Sequence, residues 1–172
     1  MFIALRYRLR SRDNAPAAPS DVYLGLRSQV FQNSRAKLGL ASPPELNHPW
    51  GVVMDWGMPK GTATVVAMSD GAASVYLSSG GGYIGGQSNE NVRGAAKTAV
   101  ETAAEFQPTM LLAAEFPLPP KGQARFYLLT DEGVFTATAS DDDLSSSGHP
   151  LSKLADAMQE VVSQYRLMQD GK

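Results

Sequence analysis

The sequence contains no cysteine and only two histidines, His48 and His149, each followed by proline. The lack of thiols excludes disulfides, zinc–thiolate sites, iron–sulfur clusters and cysteine nucleophiles together. Two imidazoles exclude a three-histidine metal site and leave oxygen as the main donor for any cation. No apolar run reaches the roughly eighteen residues that a membrane-spanning helix needs. Residues 1–5 are too short for the hydrophobic stretch of a signal peptide, and they precede the nearby arginines instead of following them. These absences predict a cytoplasmic protein with no membrane span. Basic clusters are also scarce beyond the N-terminus. Arg6, Arg8, Arg10 and Arg12 face no acid in residues 1–12, so a net charge of −2 leaves −6 for the remainder. A mildly acidic body offers no groove for nucleic acid, whose binding rests on clustered Lys and Arg.

What is present suits one domain of ordinary size: 172 residues, 43% hydrophobic, enough to bury a core without metals or disulfides. Ile3, Leu5, Tyr7 and Leu9 alternate with Arg6, Arg8 and Arg10, which predicts a strand with one cationic face. Residues 1–19 thus read as a basic strand and linker, and residues 20–172 as a single α+β domain. Ser20 or Asp21 can cap a helix running to about Leu38, ended by Gly39 and the prolines at 43 and 44. Residues 49–56, 62–68 and 73–78 are apolar and β-rich, joined by turns too short for crossovers, and predict an antiparallel meander. Val92, Ala95, Ala96, Ala99, Val100, Ala103 and Phe106 recur at helical spacing and predict a second helix. Residues 125–130 and 134–139 predict a hairpin. A third helix follows Pro150, with Leu151, Leu154, Met158, Val161 and Tyr165 on one face. Residues 141–148, with three aspartates, read as an exposed loop without the spacing of a calcium loop. The expected architecture is one antiparallel sheet of about five or six strands with three helices.

The most distinctive stretch is 77–91, where five glycines fall within residues 80–86 between the third strand and the second helix. Two phosphate motifs match it in part. Residues 80–85 fit G-x-G-x-x-G, but the helix starts too late for its N-terminal amides to meet a pyrophosphate. Residues 81–88 fit a P-loop except that Gln87 stands where its lysine belongs. The competing expectation is a protein-contact loop offering Tyr83 and Ile84 as its large groups. Both readings draw on Ser78, Ser79, Gly80, Gly82, Tyr83, Ile84, Gly85 and Ser88. Hydrolytic sets are poorly supported: no G-x-S-x-G elbow exists, and both histidines precede prolines in turn contexts. Asp55, between Met54 and Trp56 inside a strand, is the one carboxylate whose setting suggests partial burial, and its simpler reading is an outward-facing strand residue.

The order of elements from Ser20 to Met168, with its meander, crossing helix at 91–106, hairpin and C-terminal helix, resembles the profilin-like fold shared by roadblock-type dynein light chains and longin domains. Roadblock domains place two strands before the crossing helix and three after it; three and two are expected here. The segments 50–54 and 125–130 are also similar to parts of bacterial proteins, a likeness that implies no function. The profilin-like resemblance implies a dimerising, non-catalytic scaffold or regulator of other proteins, and no functional residue carries over from it; separately, no cofactor and no metal are expected. The alternative is a small-ligand or nucleotide-phosphate binding protein using loop 78–88.

Overall fold

The computed structural model describes residues 17–42 and 48–171. The basic strand expected at residues 3–10 and the prolines at 43 and 44 lie outside the described residues. Among the described residues, seven strands form one antiparallel sheet: β1 (Gly51–Met58), β2 (Gly61–Met68), β3 (Ala73–Leu77), β4 (Gly82–Ile84), β5 (Leu111–Ala113), β6 (Gln123–Thr130) and β7 (Gly133–Ser140). Their order across the sheet is β4-β3-β2-β1-β6-β7-β5. The expected five or six strands are therefore seven, with four before the crossing helix and three after it. The two additions, β4 and β5, are three-residue edge strands, too short to show a period of two.

Among the described residues, four α-helices accompany the sheet: α1 (Asp21–Gln32), α2 (Glu90–Ala104), α3 (Asp141–Ser145) and α4 (Ser152–Asp170). Three were expected. The extra one, α3, lies within the presumed exposed loop. The Ser140 hydroxyl accepts from the Asp143 N–H, and three aspartates in the first turn favour the positive end of the helix dipole. At its start, Trp56 Nε1 donates to Asp141 Oδ1 at 2.9 Å and ties α3 to β1. Conversely, α1 ends at Gln32 rather than near Leu38, because Asn33 is extended and residues 35–39 form a turn. That turn buries Arg35, which donates to Asp131 at 2.8 Å, to Ala41 C=O at 2.8 Å and to His48 C=O at 2.7 Å. Three partners for one guanidinium outweigh another helical turn.

Both sheet faces are covered. Val52, Met54, Val65, Val75, Phe126 and Leu128 face α2 and α4, while Val53, Val66, Tyr76, Tyr127 and Leu129 pack with Tyr23 and Val30 of α1. This double coverage explains why β1 and β2 are buried at nearly every position instead of alternating. The expected alanine-rich stripe of α2 is buried, with Val92, Ala96, Ala99, Val100 and Ala103 facing the core. Small side chains let the helix axis approach the sheet closely, so Ala96→Leu should overpack this layer and cost about 1–3 kcal/mol. Unchanged thermal unfolding of that variant would show that the layer has slack.

Candidate functional site

The glycine-rich stretch is divided by the fold into three parts. Residues 78–81 turn the chain back between β3 and β4, with the Gly80 N–H donating to Leu77 C=O and the Leu77 N–H to Gly81 C=O. Residues 82–84 are β4, registered so that Val75 faces Tyr83 and Ser74 faces Ile84. The chain then turns through Gly85 into a 3₁₀ turn (Gly86–Ser88), and Asn89 caps α2 by accepting from the Asn91 and Val92 N–H groups. Ser78 and Ser88 sit beyond opposite ends of β4, which is itself about 10 Å long at the usual strand rise.

The polar groups of this stretch are largely committed to the fold. The Ser78 hydroxyl accepts from the Thr62 N–H at 2.8 Å, its own N–H donates to Thr62 C=O, and its C=O accepts from the Ser20 N–H at 2.9 Å. Ser78 is buried, whereas Ser79, Gly80, Gly85 and Ser88 are exposed. The Gly86 N–H donates to the Tyr165 hydroxyl, which in turn donates to Ala73 C=O. Two glycines serve close approach: a Cβ on Gly82 (φ +149°) would fall 2.0 Å from Val75 C=O, and one on Gly86 would strike Val92 and the Tyr165 ring. Packing, rather than an open ring of amides, accounts for both.

The two large side chains part company, as alternation along a strand requires. Tyr83 turns toward the α2–α4 layer and stacks on Tyr165, with ring centroids 5.5 Å apart and planes 18° from parallel. Ile84 turns to the opposite face and is 69% exposed. There it borders a groove of about 310 Å³ between α1 and the β3–β4 edge, where Leu26, Val30, Leu38, Leu40, Met68 and Tyr76 supply an apolar lining. Gly85 and Gln87 complete its rim, and Gln87 is fixed by a hydrogen bond to Asp70. The α1 side of this groove was not legible as a site, since Leu26 and Val30 read as ordinary core positions of a helix.

Asp55 is fully buried, which overturns its outward-facing reading and goes beyond the partial burial that its apolar neighbours suggested. Its Oδ2 accepts from Arg27 Nε at 3.0 Å and Nη2 at 2.6 Å, and its Oδ1 accepts from the Thr64 hydroxyl at 2.5 Å. Thr64 has one proton and gives it to Asp55, so the Tyr23 hydroxyl, 2.8 Å away, is the donor to Thr64. Arg27 also donates to Phe116 C=O and lies over the Phe31 and Tyr127 rings. Burial opposes the Arg27 charge, but the hydrogen bonds and attraction of Asp55 outweigh it and hold the guanidinium pKa above its ordinary value. Burial also lifts the Tyr23 phenol to about 12, with the Asp55 charge adding to the shift.

Among the described residues no buried side-chain N or O atom lacks a hydrogen-bond partner, and the network pins α1 to β1 and β2. Its titration has a definite sign. Tyr23 is protonated in both states below about pH 10; above that the unfolded chain loses the proton first, so stability is lost as pH rises toward 12. Two units correspond to about 2–3 kcal/mol. Urea midpoints at pH 9 and pH 11 should therefore fall further for the parent than for Tyr23→Phe; equal falls would mean the phenol titrates normally.

Among the described residues, no three His, Asp or Glu side chains gather to hold a metal ion, and no helix is long and apolar enough to cross a membrane. Comparison with known proteins finds no matching family model, no matching curated protein and no matching solved structure.

Proposed function

We infer that this domain is a non-catalytic protein-interaction module of the cytoplasm, and that β4 with the groove beside it forms its contact surface. One observation carries the reading: an isoleucine 69% exposed on β4, which is an edge strand among the described residues, beside a groove with an apolar lining. An open edge strand can accept a partner strand through its main chain, while a neighbouring pocket takes a side chain and supplies selectivity. The likeness of the element order to profilin-like scaffolds supports the same reading, and the partner can be a second copy of this chain. The phosphate-binding alternative draws less support, since Ser78 and Ser88 do not converge and the Gly80 and Gly86 amides are engaged.

A photo-crosslinking residue at position 84, with position 101 on the exposed face of α2 as control, tests the reading in cell extract. Discrete adducts at 84 alone are expected. The purified partner so identified should lose at least about tenfold affinity on Ile84→Asp, as for a central interface residue. Equal labelling at both positions, or unchanged affinity, sinks the proposal. A thermal-shift screen against nucleotides and phosphate esters is expected to be flat; a rise of several degrees with one nucleotide class would favour the phosphate alternative instead.

A further inference from the structure

We propose that the groove between α1 and the β3–β4 edge binds a small, neutral, largely apolar molecule with one hydrogen-bond acceptor, such as a ketone oxygen, which takes the proton of the Tyr76 hydroxyl. The proposal shares its groove with the contact surface above but requires no protein partner.

The first observation is an unspent donor. Ser74 and Tyr76 stand two residues apart on β3, so they point to the same face of the sheet, and both line the groove. Ser74 Oγ donates to the Tyr76 hydroxyl at 2.8 Å, which makes that oxygen an acceptor and leaves its own proton to go elsewhere. Among the described residues no group accepts it. The other buried tyrosines differ: Tyr23 gives its proton to Thr64, Tyr127 to Pro117 C=O and Tyr165 to Ala73 C=O. Ser74 and Tyr76 are each more than nine-tenths buried, a setting in which an unmatched donor is costly and an arriving acceptor is correspondingly favoured.

The second observation is the lining around that donor. Leu26 and Val30 of α1, Leu38 of the following turn, Met68 of β2 and Ile84 of β4 line the same space of about 310 Å³. Such a volume lies at the small end of ligand pockets, and apolar walls with a few placed polar groups are their usual composition. The flexible thioether of Met68 can adjust to the shape of an occupant. A second cleft of about 330 Å³, between α2 and α4, has similar room but no buried polar side chain in its wall.

The third observation is charge. Among the described residues Asp70 is the one charged side chain lining the groove, and no Lys or Arg lines it to meet an anion. A carboxylate or phosphate ester would leave water here without a counter-charge. Nor does Asp70 call for a cation: it is exposed, its Oδ1 accepts from the Ala72 N–H at 2.9 Å and its Oδ2 from the Gln87 amide at 3.0 Å. The lining therefore selects a neutral occupant.

The test titrates the full chain with methyl heptyl ketone, and with nonanoate of equal carbon count, while backbone amide chemical shifts are followed. Saturable ketone binding is expected, with shifts concentrated at residues 74–76 and 84–87 and not at 94–98 in the α2–α4 cleft. Nonanoate should bind at least about tenfold more weakly. Tyr76→Phe keeps the ring and removes the donor, so it should weaken the ketone about tenfold, the scale of one hydrogen bond. The infrared carbonyl band of the bound ketone should also lie lower in the parent than in that variant. Should Tyr76→Phe not fold, Leu38→Asp on the exposed turn places a carboxylate in the groove wall and should weaken the ketone at least about tenfold. Absence of saturation within the solubility of the ketone, equal affinity for nonanoate, or shifts at 94–98 instead would each overturn the proposal. So would an unchanged affinity and carbonyl band in Tyr76→Phe, or unchanged affinity in Leu38→Asp. Saturable ketone binding without partner adducts at position 84 would leave this inference standing and the interaction module refuted; adducts without ketone binding would do the reverse.

Discussion

Replacing Asp55 with alanine is expected to destabilise the domain by about 3–5 kcal/mol, because among the described residues Asp55 is the carboxylate that pairs with the buried Arg27 guanidinium. The Arg27 side chain is only 9% exposed and that of Asp55 is not exposed at all, so water cannot substitute for the lost partner. The Thr64 hydroxyl would lose its acceptor too, and Tyr23 would remain bonded to a threonine no longer oriented from the other side. Removing both charges should cost much less. In Arg27→Met with Asp55→Leu, desolvation of two ions is avoided, and the main residual loss is the hydrogen bond from Arg27 to Phe116 C=O. Urea denaturation of the single and double variants forms a cycle that isolates the coupling. A single-variant loss under about 1 kcal/mol would mean that the pair is solvated in solution and does not hold α1.

The same network shows where the sequence stops being informative. Strand β1 was readable as a strand over residues 49–56, but not the orientation of Asp55, because both faces of the sheet are covered and the usual wet-face alternation is absent. Its partner lies 28 residues away on a helix whose periodicity is weak, and nothing local links the two. Helix α2 was legible throughout, since its alanine stripe follows the helical period without interruption. The five-residue α3 carried a signal that an eye for loops passes over: a serine followed by three aspartates is an N-cap with a dipole-matched first turn. For β4 no periodic signal existed. Its three residues become a strand because Gly82 lets the chain pass against Val75, and because Tyr83 finds Tyr165 on a helix 82 positions later. The division of the loop into buried Ser78, tucked Tyr83 and presented Ile84 is a property of the tertiary fold that no local pattern carries.

Tyr165 is the residue on which that division rests, and Tyr165→Ala should cost about 3–5 kcal/mol, the range for deleting a large buried aromatic side chain. The side chain of Tyr165 is fully buried and does three things at once. Its ring stacks on Tyr83, its edge packs where a Cβ of Gly86 would otherwise be, and its hydroxyl joins the Gly86 N–H to Ala73 C=O. It therefore fastens both β3 and the exit of β4 to α4. Burial raises its phenol pKa, as expected for a hydroxyl kept neutral between a donor and an acceptor. Tyr165→Phe separates the contributions: the ring and its stacking remain, while a buried N–H and a buried C=O lose their partner, at about 1–3 kcal/mol. If Tyr165 holds the edge, the alanine variant should also speed amide exchange at residues 82–84 more than at β1 or β6, because local opening of the edge comes before global unfolding. Uniform acceleration across the sheet would instead make Tyr165 a general core residue, and the placement of Ile84 at the groove would have to be explained by the β3–β4 turn alone.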